Sequence, residues 1–170
     1  MTPPYFPVPF GALSADFTFT CGAPEGTKIG PARIINIPLN HPNGGCGLKI
    51  VEDDKVFVFL TDNELDFQHE GGMTKDSYAD FSRGANLLMH DAQYIEQEYQ
   101  VTRGWGHSII SSAVELSIEA HVERLGLTHH DPDHSDDDID DFVVSSQEQI
   151  SGANSSVDCF GVREGMEIIL

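Results

Sequence analysis

The run Lys55 to Thr61, KVFVFLT, constrains the fold more than any other stretch of this chain. It is dense in β-branched and aromatic residues, which suit a pleated, half-buried surface. Asp53-Asp54 separates it from Gly47 to Glu52, and two turn residues between two strand-like runs predict a hairpin. Upstream, Arg33 to Leu39 predicts another strand. Asp16 to Thr20 predicts one more, with Phe17 and Phe19 on one face, and the CGAPEGTKIG stretch between them reads as turn material.

Downstream of Thr61 the pattern changes to alternation. Short apolar runs over 86–89 and 124–128 predict buried strands, and strand-like runs over 157–162 and 166–170 close the chain. Helices are predicted over 75–83, 109–122 and 136–149, with a helical turn over 95–99. Gly84 stops the first helix, and Ser108 is the expected cap of the second. Antiparallel strands first and βα alternation later give an α/β layer in which helices cover a mixed sheet. No repeat and no second domain are apparent. Residues 1–15, with Pro3, Pro4, Pro7 and Pro9, read as an extended arm whose Tyr5, Phe6 and Phe10 pack on the core.

Four predicted strands end on the same kind of residue. IINIPLN runs into His41, FVFLT into Asp62, NLLM into His90-Asp91, and RLGLT into His129-His130-Asp131. The carboxyl ends of strands in α/β sheets are where loops converge and ligands bind. Imidazole and carboxylate are also the donors that Zn²⁺ and similar divalent ions take. A shared metal or catalytic site at that edge is the expectation.

Composition narrows the partners. Twenty-eight acids against nine Lys and Arg give a formal net charge of −19. Such a surface repels phosphate backbones, and no basic cluster offsets it, so a nucleic-acid partner is not expected on charge grounds. No apolar run approaches the roughly 20 residues of a membrane span. The odd, widely spaced Cys21, Cys46 and Cys159 make no disulfide framework, so a cytoplasmic setting is the default. The acidic run from Asp131 to Asp141 lacks the glycine and spaced Glu of a calcium loop and reads as a solvated helix entry. Cys46 reads as a small buried thiol, and His69 and His121 as surface residues.

Leu87-Leu-Met-His-Asp-Ala92, then Gly104-Trp-Gly-His-Ser108, a helix, then Leu127-Thr-His-His-Asp-Pro132 resembles the C-terminal half of the metallo-β-lactamase fold. The similarity is to its RNase Z-like phosphodiesterase branch, which includes tRNA 3′-processing endoribonucleases and cyclic-phosphate diesterases. Asn40-His-Pro-Asn-Gly-Gly45, Leu60-Thr-Asp-Asn63 and Arg163-Glu-Gly-Met166 extend it along essentially the whole chain. The resemblance implies half of an αββα sandwich, a mixed sheet with helices on one face. It implies His41, Asp62 and His129 as ligands of divalent metal, Zn first and Mn or Fe as alternatives, with Asp62 bridging two ions. His107 would face a scissile phosphate as proton donor or charge stabiliser, oriented by Asp91. His90, His130 and Asp131 would hold the ligands from behind, with a plain loop role as the alternative for His130 and Asp131.

One element of the family pattern is missing. The family carries an early His-x-His-x-Asp-His motif, and this chain has none. His129-His-Asp-Pro-Asp-His134 has Asp131 where the second His belongs, and only 36 of the 170 residues follow it. Leu48 and Ile109 also stand where an aromatic residue and a Thr are usual. The chain reads as a partial domain beginning halfway through the family, with three of seven usual ligands. Its exposed sheet face is then expected to be covered by a second copy or by a missing N-terminal half. Metal-dependent hydrolysis of a phosphodiester in a small or nucleotide-like substrate is the leading expectation. A catalytically silent half-domain used in binding or assembly is the alternative.

Overall fold

The computed structural model describes residues 10–17 and 26–170. Seven strands form one sheet in chain order: β1 (Thr27–Ile29), β2 (Ala32–Pro38), β3 (Cys46–Glu52), β4 (Lys55–Leu60), β5 (Leu87–Asp91), β6 (Arg124–Thr128) and β7 (Asp158–Gly161). The first four are antiparallel, joined by short turns. From β4 onward the pairs are parallel, and helices α1 (Lys75–Ser82), α2 (Glu96–Thr102), α3 (Ile110–Glu119) and α4 (Asp136–Gly152) fill the connections.

The hairpin forms as its sequence dictates. Glu52 pairs with Lys55 across Asp53-Asp54, and Asp53 takes the left-handed conformation that Asp tolerates and such turns require. The register then sorts the β4 side chains. Val58 and Leu60 pair with Leu88 and His90 and face the helices, where Leu125, Leu127, Ala113, Val114, Leu116, Tyr78 and Ile150 complete the core. Phe57 and Phe59 point to the opposite face with Ile50, Leu48 and Met89, and all five are only half-buried. The fold is therefore a mixed sheet with helices packed on one face and an apolar second face left partly open.

Helix starts follow local chemistry. Thr74 caps α1 by accepting from the Ser77 N–H. Ser135 and Asp138 exchange bonds at the start of α4, where Asp136, Asp137 and Asp138 also meet the positive end of the helix dipole.

Several expectations are corrected. Ser108 does not cap α3; its hydroxyl donates to Asn63 O at 2.5 Å and accepts from Leu65 N at 3.1 Å, so α3 starts at Ile110 without a side-chain cap. It ends at Glu119 rather than 122, because His121 turns left-handed and sends the chain into β6. Within the supposed turn material Thr27–Ile29 pairs with β2, while residues 166–170 form no strand. Asp16 and Phe17 lie in no strand, and Phe10–Ala12 make a single 3₁₀ turn within the expected arm. The rest of the 16–20 strand, together with Tyr5 and Phe6, lies outside the described residues.

Candidate active site at the strand ends

The carboxyl ends of β4, β5 and β6 and the loop after β2 bring His41, Asp62, Asp91, His107 and His129 together. The His107 ring stacks on His129, with centroids 4.7 Å apart and planes 16° from parallel, and meets the His41 ring edge-on at 5.5 Å. His129 Nδ1 lies 3.4 Å from Asp62 Oδ1, which also accepts from the Thr61 hydroxyl at 2.9 Å. Asp62 and His129 both sit at positive φ, 56° and 60°. That conformation is uncommon for residues with a Cβ and concentrates at functional positions. Here it turns the chain sharply as each strand ends.

Asp91 is fully buried, and both its oxygens are taken. Oδ1 accepts from the backbone N–H groups of Gln93 and Ser108, each at 3.2 Å. Oδ2 accepts from Asn63 N at 3.3 Å and from His107 Nδ1 at 2.7 Å. Four donors on one carboxylate leave little lone-pair capacity for a metal, although Asp91, His107 and His129 each place a ligand atom within 4.8 Å of the others. Asp91 is built to fix the His107 tautomer, with Nδ1–H inward and Nε2 free. Burial alone would lower the His107 pKa, but the Asp91 hydrogen bond and charge, with Asp62 and Glu64 beyond, raise it above its ordinary value. Buried Tyr94 flanks the ring at 6.2 Å, its own pKa raised by burial and then by the charges of Asp131 and Asp91.

The supporting residues divide. His90 is buried; its Nδ1–H donates to Asp91 O at 2.6 Å and its Nε2 accepts from the Asn63 side-chain amide at 3.1 Å. Burial lowers its pKa, as suits a neutral ring in that role. Asp131 accepts from Asp133 N and from Gln93 Nε2, so it secures the segment after Asp91. His130 points elsewhere. Burial lowers its pKa, and its Nε2 is buried without a hydrogen-bond partner among the described residues. It touches none of the three metal-ligand candidates through a hydrogen bond among the described residues.

Glu64 is the residue that sequence reasoning passed over. It is 0% exposed, and it accepts four hydrogen bonds: from His69 Nε2 (2.8 Å), Tyr99 Oη (2.6 Å), Gly104 N (2.7 Å) and Gly106 N (2.8 Å). His69 is thus no surface residue, its side chain being only 8% exposed. The two glycine amides belong to the loop that presents His107, and Gly106, at φ +105°, packs where a Cβ would strike the His41 ring. Asn40 and Asn63 tie the same region together, Asn40 N donating to Asn63 Oδ1 and Glu64 N to Asn40 O. The only local signal was an acid beside the apolar Leu65 just past a strand end. Its partners 40 and 42 residues away are invisible without the fold.

His41, Asp62 and His129 carry the donor types that borderline divalent ions take, but the described residues whose ligand atoms all lie within 4.8 Å of one another are Asp91, His107 and His129.

No family model matches the sequence. Ribonuclease Z of Brevibacillus brevis is 33% identical over 95 residues, which is 53% of this chain and 30% of that protein. Among solved structures, the metallo-β-lactamase fold protein YhfI of Bacillus subtilis superposes with a TM-score of 0.62 at 19% identity, over 84% of this chain and 52% of that one. A diphosphatase of the PhnP family gives 0.50 at 16% identity, over 86% of this chain and 48% of that one. The chain therefore spans about half the length of the structures it matches, and less of the ribonuclease. What it carries is the metallo-β-lactamase fold, in the form of one mixed sheet covered by helices on one face, with ribonuclease Z-like sequence along part of its length.

Proposed function

We propose that this chain supplies one half of a metal-dependent phosphodiesterase site. The observation that carries the reading is the Asp91–His107 pair at 2.7 Å, stacked against His129 at the strand-end cluster. His41, Asp62 and His129 would hold divalent metal, Zn first; when bound, such an ion polarises a phosphoryl oxygen and lowers the pKa of bound water. His107 keeps its proton through Asp91 and offers Nε2 to a leaving oxygen or to developing negative charge, a contribution of roughly 10²–10⁴-fold for a placed acid. Asp91 compensates the charge of the protonated ring. Glu64 and the loop glycines fix the ring's position.

Two ions, as in a complete dinuclear centre, would need ligands from outside this chain. Coverage of the open Phe57–Phe59 face by the other half of a sandwich, or by a second copy, belongs to the same proposal. The net charge of −19 favours a small or nucleotide-like substrate over a polymer. The ribonuclease match keeps RNA in view as a substrate.

Hydrolysis of bis(p-nitrophenyl) phosphate by the purified chain with Zn²⁺ or Mn²⁺ tests the reading, with His107→Ala beside it. The proposal predicts metal-dependent turnover that falls at least about a hundredfold in His107→Ala with metal content unchanged. The three-ligand set favours a second reading, a silent half-domain that binds without hydrolysing. No turnover from a chain that retains its metal supports that reading and removes the enzyme assignment from the chain alone.

A further inference from the structure

The loop that presents His107 also presents an exposed aromatic surface that the proposed chemistry does not use. Trp105 is 61% exposed and Phe67 39%. Nine large apolar side chains are exposed among the described residues; these two are aromatic rings beside the strand-end cluster, and an apolar patch there calls for an occupant. They are neighbours through Gly104, where a Cβ would lie 4.0 Å from Phe67 Cε1. Phe67 packs edge-on against His69 at 4.9 Å, and the Arg103 guanidinium sits 5.6 Å from its ring centroid. Arg103 is one of only nine Lys and Arg residues in the chain.

The exposure of Trp105 is enforced. The amides on either side of it, Gly104 and Gly106, both donate to buried Glu64, and its own N–H donates to Thr102 O at 3.0 Å. With the backbone held at three successive amides, the indole starts from a fixed point on the loop and projects into solvent. Among the described residues it has no ring partner and no side-chain hydrogen bond. His107 follows two residues later, so the two Cα atoms are at most about 7 Å apart. That is close to the span between a phosphate and the base of its own nucleotide.

We propose that Trp105 and Phe67, with Arg103, form a platform for the nucleobase of a small nucleotide whose phosphate lies at His107. The proposal rests on the phosphodiesterase reading for the identity of the reacting group. Aromatic faces accept any base by stacking, and a guanidinium beside them adds cation–π attraction and a counter-charge for phosphate. In a chain so acidic, a single nucleotide meets far less repulsion than an RNA strand does.

Trp105 is the only tryptophan, so its fluorescence in the unmodified chain reports this site alone. AMP, titrated with excitation at the red edge of the indole band, is expected to quench it saturably. Ribose 5-phosphate, which has the sugar and phosphate without the base, is expected to leave it unchanged. Phe67→Ala, at a half-exposed position, should weaken AMP about tenfold, and Arg103→Ala, on the surface, severalfold. Absence of saturable quenching, equal quenching by ribose 5-phosphate, or unchanged affinity in both variants overturns the platform. A short oligoadenylate binding more than about tenfold tighter than AMP overturns the assignment to a single nucleotide. Metal and turnover do not enter the titration, so AMP binding by a chain that hydrolyses nothing removes the enzyme reading and leaves the platform standing.

Discussion

Replacing Glu64 by Leu exposes how much of the site depends on one buried carboxylate. The substitution nearly conserves volume but strands the amides of Gly104 and Gly106, the Tyr99 hydroxyl and the His69 N–H. A buried donor left without an acceptor costs roughly 1–3 kcal/mol. Gly106 is buried, while Tyr99 and Gly104 are partly open and can recruit water, so the sum is about 3–5 kcal/mol. Against a typical domain stability of about 5–15 kcal/mol, that is a large fraction. Glu64→Gln should cost less, about 1–3 kcal/mol, because the amide oxygen still accepts from two of the four donors and either Tyr99 or His69 can reverse to accept from the new NH2, leaving one glycine N–H unpaired. Urea unfolding followed by circular dichroism measures both. The order Leu worse than Gln worse than parent is expected. A Glu64→Leu protein within about 1 kcal/mol of the parent would refute the claim that this carboxylate holds the His107 loop.

Three other outcomes follow from the same geometry. Gly106→Ala combines a φ of +105° with a Cβ driven into His41 and to 2.7 Å from Pro42 Cδ; it should destabilise the fold by roughly 1–3 kcal/mol and weaken metal binding, and a variant with parental melting temperature and metal affinity contradicts this. Burial pushes the Cys159 thiol up to about 12 from 9.0, so in a Cys21→Ser background the exposed Cys46 should label with a thiol reagent at pH 8 while Cys159 waits for unfolding. Because the folded state holds that proton longer, the thiol's share of stability is present below pH 9 and lost as pH rises toward about 12; Cys159→Ala should flatten that decline in alkaline unfolding curves. The half-buried Phe57, Phe59, Leu48, Ile50 and Met89 predict self-association at micromolar concentration in sedimentation, and a stable, well-folded monomer there counts against a covered face.

Much of this architecture is legible in the residues because its rules are local. KVFVFLT, the Asp53-Asp54 turn and the caps at Thr74 and Ser135 each depend on neighbours within a few positions, and the sheet follows from them. The strand-end histidines and acids were legible for a related reason, since chain order places them on one edge once the strands are parallel. What failed depends on distant partners. Ser108 has the composition of a cap, but its hydroxyl is claimed by Asn63 and Leu65, more than 40 residues earlier. His69 reads as a surface residue and Glu64 draws no reading at all; the loop from Gly104 to Gly106 covers both.

In the proposed arrangement His41, Asp62 and His129 hold a divalent ion while Asp91 and His107 stand beside it as a proton-holding pair. Metal content after dialysis, measured on the parent, His129→Ala, Asp62→Asn and His107→Ala, tests this most directly. The account predicts bound Zn²⁺ or Mn²⁺ in the parent, its loss in His129→Ala and Asp62→Asn, and its retention in His107→Ala. A parent that binds no metal, or a His107→Ala protein that loses it as completely as His129→Ala does, would contradict the account.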